Sequence, residues 1–162
     1  MAEFDYVVFP LRVFHDDILD TGEVFRLIQD WLTSRDYSLY EQEYHVDART
    51  ENNVKIFWRA EKKVDDYAQF VIEVRITGSN IHETTVKNKK FLRGAFNITF
   101  ESYIESDYEQ RWEQKPFLKV WRGLYDKLFI KDKLDRYNDE LKNDTYNIYD
   151  EIKAFLSLKK FN

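Results

Sequence analysis

The sequence predicts an α+β domain: a curved antiparallel sheet of about six strands packed against an N-terminal helix and a long C-terminal helical region. Three observations lead there. Between a β-like opening and the middle of the chain lies one helical stripe; residues 38–105 then alternate apolar and polar at period two; the last third runs at helical period almost to its end. With only 4 Gly and 2 Pro among 162 residues, no stretch reads as a linker, so a single domain over residues 1–162 is expected.

The opening strand covers Phe4 to Phe14, with Phe4, Tyr6 and Val8 on one face and Val7 and Phe9 on the other. Pro10 makes it an edge or a bent strand, because proline cannot donate to a ladder. His15-Asp16-Asp17 reads as a solvated turn. Thr21 is the expected cap of a helix over residues 22–35; Glu23 sits near the positive end of its dipole, and Val24, Leu27, Ile28, Trp31 and Leu32 form its apolar stripe.

Residues 38–47 and 54–64 read as a strand pair, with Ile56, Trp58, Ala60 and Val64 on one face. In the next strand Ala68, Phe70, Ile72, Val74 and Ile76 point inward. Tyr67, Gln69, Glu73 and Arg75 face water, Val71 sits on that wetter side, and Gly78-Ser79-Asn80 ends the strand. A short strand follows over 81–88. Residues 91–105 form a long one that buries Leu92, Phe96, Ile98, Phe100 and Ile104; at about 3.3 Å per residue it approaches ~50 Å and calls for a bend, for which Gly94 is the natural place. Pro116 suits a first helical position, and Phe117, Trp121, Leu124 and Leu128 recur at helical spacing after it. Leu134, Tyr137, Leu141, Ile148, Ile152 and Phe155 continue the stripe, with Asn143-Asp144 marking a break and Asp144 a new cap.

Composition narrows the function classes. The chain is 43% hydrophobic and 17% aromatic, so Phe, Tyr and Trp must fill much of the core. The net charge of −5 is uneven: residues 1–50 hold eleven acids and four arginines, a net −7, leaving +2 for residues 51–162. An acidic chain is a poor non-specific nucleic-acid binder, since that affinity is driven by phosphate neutralisation. The absence of cysteine removes disulfides, thiolate nucleophiles and sulfur-ligated zinc. No segment reads as a signal peptide or a membrane span, so a cytoplasmic protein is expected.

Candidate chemistry is sparse. His15, His45 and His82 are the right residue type for a metal but stand in three separate segments, so no metal site and no cofactor is expected. Glu101, Glu105, Asp107 and Glu109 invite a paired-carboxylate reading, against the commoner reading of a hydrated strand end. With no nucleophile elbow, phosphate-binding glycine loop or helical zinc-protease pair, catalysis finds no support. Lys87, Lys89, Lys90 and Arg93, interleaved with Phe91 and Phe96, form the one basic tract suited to RNA or another anion; the same residues also suit a solvated hairpin turn. Trp31, Trp58, Trp112 and Trp121 either fill the core or line an apolar cavity.

The order strand, helix, about five strands, long helix resembles the helix-grip architecture of the lipid-transfer and pollen-allergen superfamily. The chain departs from that pattern in having one helix rather than two after its first strand. The phrases Lys62-Lys63-Val64-Asp65-Asp66-Tyr67, Trp112 with Pro116, Trp121-Arg122-Gly123-Leu124-Tyr125-Asp126-Lys127 and Ile152-Lys153-Ala154-Phe155-Leu156 are similar to uncharacterised hypothetical proteins of archaea. That resemblance implies a cytoplasmic archaeal protein and no particular activity. Together these readings favour a non-catalytic domain holding an apolar, lipid-like molecule between sheet and C-terminal helix, lined by Phe70, Ile72, Phe96, Phe100, Trp121 and Leu124. The alternative is an interaction module that pairs through residues 116–158 with itself or a protein partner. Weak RNA or anion binding at the lysine tract comes third.

Overall fold

The computed structural model describes residues 3–106 and 131–159. In chain order the elements are β1 (Glu3–Leu19), α1 (Thr21–Thr33), β2 (Ser38–Asp47), β3 (Asn53–Lys63), β4 (Ala68–Val86), β5 (Lys89–Ser106) and α2 (Lys131–Lys159). The α+β class holds. The strands form one open antiparallel sheet in the order β1-β5-β4-β3-β2, so β1 and β2 are its edges among the described residues.

The described residues contain five strands rather than six, because the segments expected at 68–76 and 81–88 are one strand. Gly78-Ser79-Asn80 does not end β4; it passes through a register shift between Ser79 and His82, with Asn80 in the left-handed region (φ 54°). The extra residue turns Ile81 into the core, where it is fully buried, and its backbone N–H donates to the Asn52 carbonyl at 2.9 Å. Gly94 lies across from this bulge. A Cβ there would meet Ile81 Cδ1 at 2.6 Å and the Asn80 and Ser79 carbonyl oxygens at 2.8 and 2.9 Å, so close approach, rather than freedom to bend, is what requires glycine. Lys87 and Asn88, both at positive φ (48° and 65°), close the β4–β5 hairpin in the two-residue form that matches strand twist.

β1 also runs further than expected. His15-Asp16-Asp17 is ladder, not turn, paired with Phe96, Ala95 and Gly94 of β5. Register shifts between Tyr6 and Leu11 leave Val7 packed against the core and Val8 buried at 4% exposure, while Phe9 stacks on Tyr6 instead of facing the other way, which undoes the simple alternation expected across Pro10. The cap of α1 is Asp20, not Thr21: its Oδ1 accepts from the Glu23 N–H at 3.0 Å. Asp36 (φ 65°) ends the helix as Tyr37 N–H donates to the Leu32 carbonyl at 3.1 Å.

Both described helices, α1 and α2, lie on one face of the sheet, called inner here. Phe70, Ile72, Val74, Ile76, Phe96, Ile98, Phe100 and Ile104 are completely buried there, together with Val24, Ile28 and Leu32 of α1 and Leu141 and Ile148 of α2. Each such side chain contributes about 1.5–3 kcal/mol through burial, so this layer is the main source of stability. Helix α2 runs without a break through Asn143 and Asp144. Asp144 accepts from the buried Tyr37 hydroxyl at 2.9 Å, and the Thr145 hydroxyl, which donates to the Leu141 carbonyl at 2.7 Å, accepts from the Ser102 hydroxyl of β5 at 2.8 Å, so the expected break is a docking point. The β3–β4 turn is tied to the same helix by Asp65, whose Oδ2 accepts from Lys133 and Tyr137.

Candidate functional site

The other face of the sheet, turned away from α1 and α2, carries the densest polar chemistry among the described residues. Strict alternation along β3, β4 and β5 brings Arg59, Glu73 and Glu101 into one cross-strand row and Val71 opposite Tyr103 in the next. Arg59 donates to Glu61 Oε1 at 2.6 Å, to Glu105 Oε2 at 2.5 Å and to the Tyr103 hydroxyl at 3.2 Å. The Tyr103 hydroxyl in turn donates to Glu73 Oε1 at 3.0 Å, Arg75 donates to Glu73 Oε2 at 2.6 Å, and Gln69 donates to Glu105 at 2.8 Å. This is one continuous network rather than a set of surface pairs.

The network is largely shielded: Gln69, Val71, Glu73, Tyr103 and Glu105 are all at or below 9% exposure, although alternation alone puts Gln69 and Glu73 in water. Charges held there need complete pairing, since an unpaired buried ion costs several kcal/mol. Burial and then the Glu73 charge push the Tyr103 hydroxyl well above the ordinary phenol range, so it keeps its proton, donating it to Glu73 while accepting from Arg59. Burial, followed by Glu73 directly opposite and the hydrogen bond to it, raises the carboxyl of Glu101 above its usual range. A raised carboxylate in a polar cluster is a common mark of a functional site.

Tyr103 joins this network to β1. Its ring meets Phe4 edge-on at 5.4 Å and Tyr6 at 5.3 Å, and Tyr6 stacks on Phe9 at 6.2 Å. Phe4, Tyr6, Phe9 and Phe14 are 54%, 52%, 74% and 65% exposed, which gives the β1 edge an aromatic ledge. The opposite edge differs: β2 also exposes Tyr40 and Tyr44, but a register shift between Glu41 and Glu43 sends those rings to opposite faces.

The residues singled out from sequence scatter over this architecture. Phe70, Ile72, Phe96 and Phe100 come together as fully buried members of the inner core, and Trp121 and Leu124 lie outside the described residues, as do Trp112, Asp107, Glu109 and Pro116. The stripe Leu141, Ile148 and Ile152, with Tyr137 and Phe155 partly buried beside it, packs against the chain's own core. Lys87, Lys89, Lys90 and Arg93 are exposed along the β4–β5 hairpin; Lys89 pairs with Asp20, and Phe96 points into the core, away from any stacked base. His45 pairs with Glu51 at 3.1 Å, His82 is exposed, and His15 is buried with its Nε2 on the Ile18 carbonyl at 3.1 Å. Among the described residues no cluster of three or more metal-ligating side chains occurs, and no helix there is long and apolar enough to cross a membrane.

Sequence reasoning missed the network because its members sit on three strands and only register unites them. Glu105 is not a hydrated strand end but a buried acceptor for Arg59 and Gln69. One signal was present: Val71 and Tyr103 break the polar alternation of the outer face side by side, as residues under cover do. Compared with family models, curated proteins and solved structures, the chain matches none.

Proposed function

We propose that the protein is a non-catalytic binding module that receives an extended, basic segment of a partner protein along the β1 edge. The observation that carries this reading is the ledge of Phe4, Tyr6, Phe9 and Phe14 beside a sheet edge that is open among the described residues. An edge strand offers unpaired backbone groups to an added strand, and exposed aromatic rings supply the contact area that such partners use. Charge selects the partner: Asp5, Asp16 and Asp17 are exposed along β1, whose only basic residue is Arg12, within a first fifty residues of net charge −7. A basic strand complements that field and an acidic one is repelled by it.

The test is fluorescence anisotropy with an eight-residue peptide alternating lysine and valine, against the same peptide with glutamate in place of lysine. The basic peptide should bind at low salt and weaken as salt rises, and Phe9→Ser with Phe14→Ser should weaken it roughly tenfold or more at unchanged melting temperature. Absence of binding at low salt, or equal binding by both peptides, overturns the reading. A concentration-dependent dimer that the two serines abolish would assign the ledge to a second copy of this chain instead.

A second reading places an apolar, lipid-like molecule between sheet and C-terminal helix, beside Phe70, Ile72, Phe96 and Phe100. Its support is His15, the cross-strand neighbour of Phe96, whose Nδ1 is buried in this layer without a protein partner. Native mass spectrometry decides it: an adduct lost on denaturation supports a bound molecule, and a bare chain mass counts against one.

A further inference from the structure

Glu73 and Glu101 stand directly opposite each other on β4 and β5, a position in which two negative charges destabilise a sheet. Both oxygens of Glu73 already accept hydrogen bonds, Oε1 from Tyr103 and Oε2 from Arg75. Among the described residues the other cations around the pair are committed or distant by register. Arg59, across from Glu73 on β3, is engaged by Glu61 and Glu105; Arg75 is spent on Glu73; Arg12 of β1 lies beside Thr99, one row beyond Glu101. Among the described residues no ion pair joins a cation to Glu101; the Arg75 charge only partly offsets burial, the Glu73 charge and the hydrogen bond to Glu73, which together raise its carboxyl. A hydrogen bond between two carboxyl groups requires a proton, and the occupied oxygens of Glu73 leave it on Glu101.

We propose that Glu101 and Glu73 form a proton-held clasp whose opening loosens the aromatic ledge of β1, so that the partner surface is governed by pH. The chain of contacts is short. With the proton in place, Glu73 is fixed, the Tyr103 hydroxyl stays on it, and the Tyr103 ring props Phe4 and Tyr6. When pH rises and Glu101 ionises, the two carboxylates repel across the strand pair and Glu73 must move. Tyr103 loses its acceptor, and the N-terminal third of β1, already interrupted between Tyr6 and Leu11, loses its support. The direction agrees with the raised Glu101 carboxyl: a group that binds its proton more tightly in the folded state gives stability at low pH that is lost as pH rises.

The clasp deepens the β1-edge reading and rests on it for its consequence, but its test needs no partner. The full chain, labelled at the glutamate carboxyl carbons, is titrated by NMR, and amide exchange of Phe4 to Val8 is followed between pH 5 and 8 as protection relative to the intrinsic rate. Glu101 should titrate above the ordinary glutamate range, with β1 protection falling about tenfold per unit of the Glu101 shift. In Glu101→Gln, where an amide donates permanently to Glu73, protection should stay flat. Glu73→Gln, which also removes the repulsion, should be equally flat and serves if the first variant fails to fold. A Glu101 midpoint in the ordinary range, or an equal fall in both variants, overturns the clasp. A peptide that never binds while the clasp titrates as described removes only the edge reading.

Discussion

The two faces of this sheet are made from the same strands and solve burial in opposite ways. On the inner face Phe70, Ile72, Phe96 and Phe100 reach zero exposure by apolar contact with α1 and α2. On the outer face Gln69, Glu73, Tyr103 and Glu105 are almost as buried, yet every one of them is held by a directed bond. Apolar packing is non-directional and tolerates small shifts, whereas a charge network fails at once when a single partner leaves. Stability should therefore reside in the inner face, and sensitivity to conditions in the outer one.

The sharpest break of that comparison is Phe100→Ala. It leaves a cavity in the inner core and should cost about 3–5 kcal/mol, read as a large fall in the urea midpoint and largely independent of pH. Next comes Gly94→Ala, whose methyl group would collide with Ile81 and two backbone oxygens; it should cost about 1–3 kcal/mol through overpacking at the bulge. Arg59→Met should cost about 2 kcal/mol by stranding Glu105 and Tyr103. Adding Glu105→Leu to it should recover part of that loss, since removing both members of a shielded pair is milder than removing one. If the double variant is instead as unstable as the sum of the singles, the outer face is not a coupled network.

These effects also mark what a linear reading can reach. Period-two alternation located the inner face residue by residue, from Ala68 through Ile76 and from Leu92 through Ile104, because burial against helices repeats along each strand. Gly78-Ser79-Asn80 looked like an end because glycine and asparagine serve turns and bulges alike, and only the pairing of β4 with β5 distinguishes the two. The network was less legible still: Arg59 and Glu105 are 46 positions apart, and nothing local links them. His15-Asp16-Asp17 looked polar enough for a turn, yet pairing with β5 sends the imidazole inward and Asp16 outward.

The smallest effect concerns a junction that neither face dominates. Asp20 caps α1 through the Glu23 N–H and pairs with Lys89 of the β4–β5 hairpin, tying the helix to the sheet end. Burial alone would raise its carboxyl, but the Lys89 and Glu23 hydrogen bonds and the lysine charge more than offset this and hold it below the ordinary aspartate value of 3.8. A depressed carboxylate stabilises the fold above its unfolded pKa, and that contribution is lost as pH falls through the folded one. Asp20→Ala should thus cost about 1 kcal/mol at neutral pH, a fall of roughly 2–4 °C in melting temperature for a chain of this size. The gap should narrow as pH drops below 3.8. The Glu73–Glu101 clasp should act with the opposite sign, gaining strength on acidification, so melting curves of the wild type, Asp20→Ala and Glu101→Gln from pH 3 to 8 separate the two carboxyl contributions. A gap for Asp20→Ala that stays constant to pH 3 would mean that the cap acts through backbone geometry and not through its charge.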